Sequence, residues 1–420
     1  MKNFLKNLVR FVLKVLAKRR LKSFNGKIIA VTGSVGKTST KDAIFTVLNT
    51  RHKVKRSLKS LNTDFGLLLT ILDVETGWSS AFKWSWLLLK AAYFSMHKDC
   101  SEIMVLEFGV DKPGDMDFLT SIVKPDIAVM TNIAPVHLAE GQFENVGAIA
   151  EEKGKLISAL KEGGAAILNI DNPFIDSLGS KCEGKKVITF GENEKADYRA
   201  QNIKLSLEGI DFALEKNGEK FKIHSAILGE YQAMVLLPAI ICGELFGFKT
   251  EETIAALDKY ILPPGRMSVI EGVKETTILD SSYNCSPESL KRALGILKKV
   301  GEKRRKVAVL GNMNELGAQS QKLHEAIGEM LPEYVDLLIT VGSEAAIFGE
   351  KMDKKQAFET KNAQEAIELF KKKIQKDDLI LVKGSQNNVR LERFVRAYMA
   401  HPEDANKLLV RQEKVWQAKI

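Results

Sequence analysis

The sequence predicts an α/β fold in which a central parallel-sheet domain carries an appended antiparallel β layer and is followed by a second, doubly wound (Rossmann-like) α/β domain. Three observations carry this. Residues 27–42, KIIAVTGSVGKTSTKD, run from an apolar, β-branched strand through a glycine turn into a segment with helical apolar spacing (Ile44, Val47, Leu48). Strand-like apolar runs alternate with helical stretches on both sides of Pro263, Pro264 and Gly265, which implies parallel sheets. Residues 185–226 instead show short alternating stretches separated by polar turns, the pattern of antiparallel pairing.

The chain divides into a basic amphipathic helix (1–25), a central domain (26–262) and a C-terminal domain (263–420). Net charge is +9, but eight Lys or Arg and no acid fall within residues 1–25, so the remainder is nearly neutral. This describes a basic arm and excludes a nucleic-acid-binding body. Cys100, Cys182, Cys242 and Cys285 lie far apart with no C-x-x-C pair, which argues against a zinc site or a disulfide framework and for a cytoplasmic home. Cations interrupt residues 1–22 every four positions and no small-residue cleavage site follows, so the segment is neither a signal peptide nor a bilayer span.

In that segment Lys2, Lys6, Arg10, Lys14, Lys18 and Lys22 recur at i, i+4, while Phe4, Leu5, Leu8, Val9, Val12, Leu13, Val15 and Leu16 form a broad apolar side. Two readings stand: a helix packed on its own domain with a solvated lysine face, or a helix in peripheral contact with the inner face of the plasma membrane. A partner protein is a third. A strand is expected at 53–56, then a helix in LNTDFGLLLTILD. Residues 77–97 are rich in aromatics (Trp78, Trp84, Trp86, Tyr93, Phe94), read first as core and second as an interfacial patch. Strands at 102–108, 126–130 and 165–170 and helices at 116–123, 144–160 and 228–246 follow. Beyond Gly265 come strands at 276–279, 306–310, 337–341 and 378–382, with helices at 286–299 and 319–330 and a last helix at the end.

Strand, glycine turn and helix together are the recipe for holding phosphate, which makes the central domain a P-loop ATPase type. Gly33 and Gly36 let backbone N–H groups curl around a polyanion, Ser34 and Ser39 belong to the same loop, and the helix N-terminus adds partial positive charge. Lys37 reaches the outer phosphates and the Thr38 hydroxyl is placed to ligate magnesium. The loop is shorter than G-x-x-x-x-G-K-[ST], because Val31 stands where the first glycine would be. Glu107 ends a buried strand and reads either as a metal ligand or as a structural carboxylate; His137 lies in a proline-containing loop after the next strand.

TGSVGKTST, LNTDFGLLLT, EFGVDKPGDMDFL, TNIAPVHL, EEKGKLI, GR, DSSYNCSPES, LGNMNELG and KGS, in this order between residues 27 and 399, resemble the Mur ligases, most closely those of the MurF type. The shortened phosphate loop is that family's form. The resemblance implies ATP-dependent amide bond formation through an acyl phosphate: a muropeptide carboxylate is phosphorylated and the amine of a dipeptide, D-alanyl-D-alanine in the MurF type, attacks it. ATP and Mg2+ are the implied cofactors. Lys37 would then bind the β- and γ-phosphates, Thr38 and Glu107 one magnesium, and His137 a second. Lys153 aligns with the lysine that Mur ligases carbamylate; an ammonium would repel magnesium, whereas a carbamate is an anionic oxygen ligand.

By the same resemblance Arg266, Asp280 and Asn284 meet the nucleotide from across the hinge. Tyr283, Lys383 and Ser385, with Asn62 and Thr63, lie toward the substrates. Three departures stand out. Asn312 replaces an aspartate of the family motif, Ser286 replaces an asparagine, and only 26 residues precede the phosphate loop where MurF-type ligases carry a uridine-nucleotide domain. The expectation is therefore a monomeric, cytoplasmic MurF-like ligase of peptidoglycan precursor synthesis. The alternatives are a Mur-family ligase for a lipid-linked muropeptide or a poly-amino acid, and a nucleotide-binding interaction protein without turnover.

Overall fold

In the computed structural model, described for residues 2–57, 64–75, 81–135, 141–314, 316–385, 389–413 and 416, the chain folds as two compact units. The first comprises residues 1–203, 212–223 and 233–260, and the second 204–211, 224–232 and 261–420.

The first unit opens with α1 (Lys2–Lys22), β1 (Lys27–Thr32), α2 (Lys37–Leu48), β2 (Val54–Arg56), α3 (Asp64–Ile71) and α4 (Ala81–Met96). It continues with β3 (Ile103–Glu107), α5 (Asp115–Thr120), β4 (Ile127–Met130), α6 (Val146–Ser158), β5 (Ala165–Asn169), α7 (Pro173–Asp176) and β6 (Lys186–Gly191). The meander β7 (Tyr198–Ser206), β8 (Gly209–Lys216) and β9 (Glu219–Ser225) follows, then α8 (Ala233–Leu245) and α9 (Thr250–Leu257). The sheet order is β2-β3-β1-β4-β5-β6-β7-β8-β9. β1 pairs in parallel with both β3 and β4, so Val31 stands beside Glu107 on one side and Val129 on the other. The chain reverses its direction of travel across the sheet here, and ligands of such sheets gather at the strand ends beside this point.

Side chains alternate across the sheet. Ile28 and Ala30 join Met104, Leu106, Ala128 and Met130 in a core shared with α1, α3, α4, α5 and α6. Ile29 and Val31, also buried, face the other way, toward the layer in which α2 packs on α8. The antiparallel layer expected over residues 185–226 does not include its first strand: β6 pairs in parallel with β5 and with β7 (Phe190↔Tyr198, Gly191↔Arg199) and so extends the parallel sheet, and only the β7–β9 meander departs from it. Two-residue turns then join β7 to β8 to β9. Asn217 and Gly218 both carry positive φ (49° and 78°), the hairpin turn whose twist matches its strands. Residues 204–211 and 224–232 fall to the second unit because Leu205, Leu207, Leu228 and Tyr231 pack into its core.

The N-terminal helix does not stand apart from the first unit. It buries Leu13 and Ala17 in the core, and Arg20 reaches Asp73 at 2.5 Å and Asp99 at 3.1 Å with almost no solvent exposure. Lys55 completes the network, 2.8 Å from Asp73 and 2.7 Å from Asp99. Breaking a buried ion pair strands its partner, so Arg20→Ala is expected to destabilise the protein by about 3 kcal/mol, read from its urea midpoint. The aromatic run is core only in part: Trp84 and Phe94 pack inward, whereas Trp86 and Tyr93 are exposed. Trp78 lies outside the described residues.

The second unit contains β10 (Ser268–Glu271), β11 (Thr277–Ser281), α10 (Pro287–Val300), β12 (Lys306–Gly311), α11 (Ser320–Gly328) and β13 (Leu337–Val341). After these come β14 (Ala357–Thr360), α12 (Ala363–Lys371), β15 (Leu379–Lys383), α13 (Glu392–Tyr398) and α14 (Ala405–Leu408). Its order is β10-β11-β15-β12-β13-β14, parallel except for β10 at the edge. One face packs α10 and α11 over Leu279, Ala308, Leu310 and Leu381; the other packs α12 and α13 over Ile278, Val309, Ile339 and Val382. This is a doubly wound sheet.

Candidate active site

The phosphate loop sits at the carboxyl end of β1. Gly33 (φ 148°) and Gly36 (φ 89°) take backbone conformations that favour glycine. A Cβ on Gly33 would lie 2.1 Å from Thr131 Oγ1, so the loop can be this close to β4 only without a side chain. Thr131 Oγ1 in turn donates to Thr32 O (3.2 Å) and Val35 O (2.6 Å), and Ser34 N donates to Asn132 O (2.6 Å). The TNIAP segment after β4 is thus the brace of the loop. Gly33→Ala is expected to cost about 3 kcal/mol from steric overlap and backbone strain, measured by chemical denaturation.

Gly36 is also the N-cap of α2, and no side chain caps that helix. Its first N–H groups therefore point toward the loop, where an anion is stabilised by them and by the helix dipole. At Gly36 the Cβ position is open, with nothing nearer than 3.7 Å. Lys37 folds back over the loop, donating to Gly33 O (2.8 Å) and Ser34 O (3.3 Å), within the space that outer phosphates of a bound nucleotide would share. Thr38 Oγ1 donates to Glu107 Oε1 at 3.2 Å, and both side chains are buried. A hydroxyl and a carboxylate paired at the outer end of a phosphate loop are hard oxygen donors, which fits Mg2+.

Two further lysines stand behind this pair. Lys153 on α6 is 1% exposed; burial first, and then repulsion from Lys37, pull its ammonium down to about 7 against the opposing pull of Asp111 and Glu152. Glu152 accepts from Met116 N at 2.8 Å, tying α6 to the start of α5. Lys41, equally buried, donates to Ser57 O at 2.7 Å and lies 3.7 Å from Glu107 Oε2, with its pKa lowered by burial. Neither Lys41 nor Asp111 was given a role by the sequence motifs. Lys41 does carry one signal, because it shares the buried stripe of α2 with Ile44 and Leu48. Lys37, Thr38, Glu107 and Lys153 are thus brought together. His137, Asn62 and Thr63 lie outside the described residues.

The second unit gathers its own set. Gly265 O accepts from Tyr283 N at 3.0 Å, and the Arg266 guanidinium stacks 4.5 Å from the Tyr283 ring. Asp280, fully buried at the end of β11, accepts from Ser282 N, and burial pushes its carboxyl up to about 6. Lys383 donates to Ser281 Oγ (3.2 Å) and Asn284 O (2.9 Å) from a buried position that lowers its pKa. Ser385 Oγ donates to Cys285 O and accepts from Asn314 N, each at 3.0 Å. Arg266, Asp280, Tyr283, Asn284, Lys383 and Ser385 therefore form one connected cluster.

A phosphate loop at the reversal point of a parallel sheet, with a hydroxyl–carboxylate pair at its outer end, defines a nucleoside-triphosphate-using class of protein. Residues 31–243 match the Mur ligase middle domain, and residues 265–386 match the Mur ligase, glutamate ligase domain. The chain is 31% identical over 396 residues to UDP-N-acetylmuramoyl-tripeptide–D-alanyl-D-alanine ligase of Bacillus subtilis, covering 93% of this chain and 79% of the relative. The ligase of the same name from Escherichia coli is 28% identical over 375 residues, covering 88% and 76%. Among solved structures, the MurF ligase of Thermotoga maritima in complex with ADP aligns with a TM-score of 0.76 and 26% identity, over 95% of this chain and 84% of that one. The chain belongs to the Mur ligase family.

Proposed function

We propose that this chain is an ATP-dependent, ADP-forming ligase that joins D-alanyl-D-alanine to a UDP-muramoyl-tripeptide in peptidoglycan precursor synthesis, the reaction named for its relatives. The observation that carries this reading is the buried Thr38–Glu107 pair beside Lys37 in a chain of this family. Bound Mg2+ would be held by Thr38 and Glu107 and would neutralise charge on the phosphates. The loop N–H groups and Lys37 hold the nucleotide so that its terminal phosphoryl group meets the substrate carboxylate in line. Lys37 also stabilises the charge that develops as the phosphoryl group transfers, and the resulting acyl phosphate is then opened by the dipeptide amine, releasing phosphate. Lys153 serves this site as a carbamate. Lys41, 3.7 Å from Glu107 Oε2, holds Glu107 in place from below.

We place the enzyme in the cytoplasm as a monomer, with α1 meeting the inner face of the plasma membrane. Among the described residues no helix is long and apolar enough to cross a membrane. The test of the reaction is incubation with ATP, Mg2+, UDP-muramoyl-tripeptide and D-alanyl-D-alanine, following ADP release and product mass. ADP is expected only when carboxylate and amine are both present. ADP release that ignores the amine, or an absent amide product, would overturn the reading.

A further inference from the structure

α1 and α4 lie side by side on the first unit, and each buries one stripe in the shared core: Leu13 and Ala17 from α1, Leu87 and Ala91 from α4. Their outward faces are also apolar. Leu8, Phe11 and Val15 line α1 at i, i+3, i+7, and Trp86, Leu89, Tyr93 and Met96 line α4 at i, i+3, i+7, i+10; all are between 49% and 68% exposed. Of the 13 large hydrophobic side chains exposed among the described residues, these two helices hold 7, so the surface is concentrated and not scattered.

The charges on the two helices have one sign. Neither α1 nor α4 contains an acidic residue, and Lys6, Lys18, Arg19, Lys22 and Lys90 are exposed on them. Three neighbouring carboxylates are already paired, Asp64 with Arg10, and Asp73 and Asp99 with Arg20 and Lys55. A second copy of the chain docked on this face would set cations against cations. An anionic bilayer satisfies both properties at once, taking Trp, Tyr, Leu and Met at headgroup depth and pairing the lysines with lipid phosphates.

We propose that the paired outer faces of α1 and α4 form a docking surface for an anionic membrane. This deepens the membrane placement given above for α1 and is independent of the ligase reaction. α4 supplies the aromatic wedge and α1 supplies most of the charge. Binding is reversible, because the cations contribute through attraction that salt screens.

The test is co-sedimentation of the full chain with vesicles of phosphatidylcholine alone or mixed with phosphatidylglycerol, at low and high salt. The protein is expected to pellet with the mixed vesicles, at least tenfold more at low salt than at high. Phe11→Ser with Trp86→Ser is expected to lower the partition at least tenfold, and Lys18→Gln with Arg19→Gln and Lys22→Gln to lower it and flatten its salt dependence. All these positions are exposed, and unchanged melting of each variant shows that folding is intact. Trp86→Phe separately removes the part of the fluorescence quenching by brominated lipid that this residue supplies. Failure of the unaltered chain to pellet with anionic vesicles overturns the proposal, as does binding indifferent to the apolar substitutions. Concentration-dependent self-association lost in Phe11→Ser with Trp86→Ser, without vesicle binding, would assign the face to a second copy instead. ADP release in solution, unchanged in these variants, reports on the ligase reading alone.

Discussion

Lys37→Ala and Glu107→Ala are each expected to lower amide formation about a thousandfold or more, with the protein still folded. Phosphoryl transfer asks little covalent chemistry of a protein. The barrier lies in charge that accumulates on the transferring group, and a preorganised cation in a water-poor site is worth far more there than in bulk. Lys37 already lies on the loop, 2.8 Å from Gly33 O, on the side where a phosphate would sit. Glu107 acts through the oxygen it shares with Thr38 at 3.2 Å. Glu107→Gln discriminates charge from shape: it keeps the hydrogen bond and removes the anion, and it is expected to be nearly as inactive as alanine. Steady-state ADP release at saturating ATP measures both. Turnover within tenfold of the parent in either alanine variant would remove Lys37 and Glu107 from the mechanism.

Lys153→Ala is expected to lose ligation by about a hundredfold or more and to recover part of it with added short carboxylates such as acetate or formate. The proposed modification needs a neutral amine: its lone pair attacks the carbon of dissolved CO2, a C–N bond forms, and one proton is released to solvent. Held near 7 by burial and by Lys37, Lys153 supplies a substantial neutral fraction at physiological pH, which an exposed lysine does not. The product exchanges a cation that repels Lys37 for an anion that attracts it. Intact-protein mass spectrometry at neutral pH, with and without CO2 depletion, would detect one added CO2 that disappears in Lys153→Ala. Full activity of Lys153→Ala would leave Lys153 as a buried structural lysine.

The phosphate loop is legible in the sequence because strand, glycines and helix coincide within one short segment. Glu107 is legible because a buried run ends on a carboxylate. Lys41 is legible only as a position on the buried stripe of α2, since a helical lysine reads as solvent-facing until Ser57, just after β2, and Glu107, at the end of β3, arrive to receive it. A similar limit applies to α1. Its apolar side is too broad to say which residues go inside, and only packing selects Leu13 and Ala17 over Leu8, Phe11 and Val15. β10 and β14 escape pattern reading because they are four-residue edge strands with mostly uncovered side chains. The departures from the family motifs have local explanations. Asn312 Oδ1 accepts from Ala345 N at 2.8 Å, a bond an aspartate oxygen could equally accept. Ser286 caps α10 by accepting from Ser289 N, as asparagine also does at helix starts.

The way α1 is fastened to the first unit decides how this protein can be handled. Cutting the chain after residue 22 would lift Leu13 and Ala17 out of the core and take Arg20 from Asp99, uncovering Leu67, Leu87 and Ala91 beneath. A truncated protein would then misbehave on heating or concentration whether or not the helix ever meets lipid, and its loss of vesicle binding would say nothing about the membrane. Affinity tags are better fused ahead of residue 1 through a flexible spacer, away from the Arg20 clamp, and comparisons are better made with exposed point substitutions than with deletions.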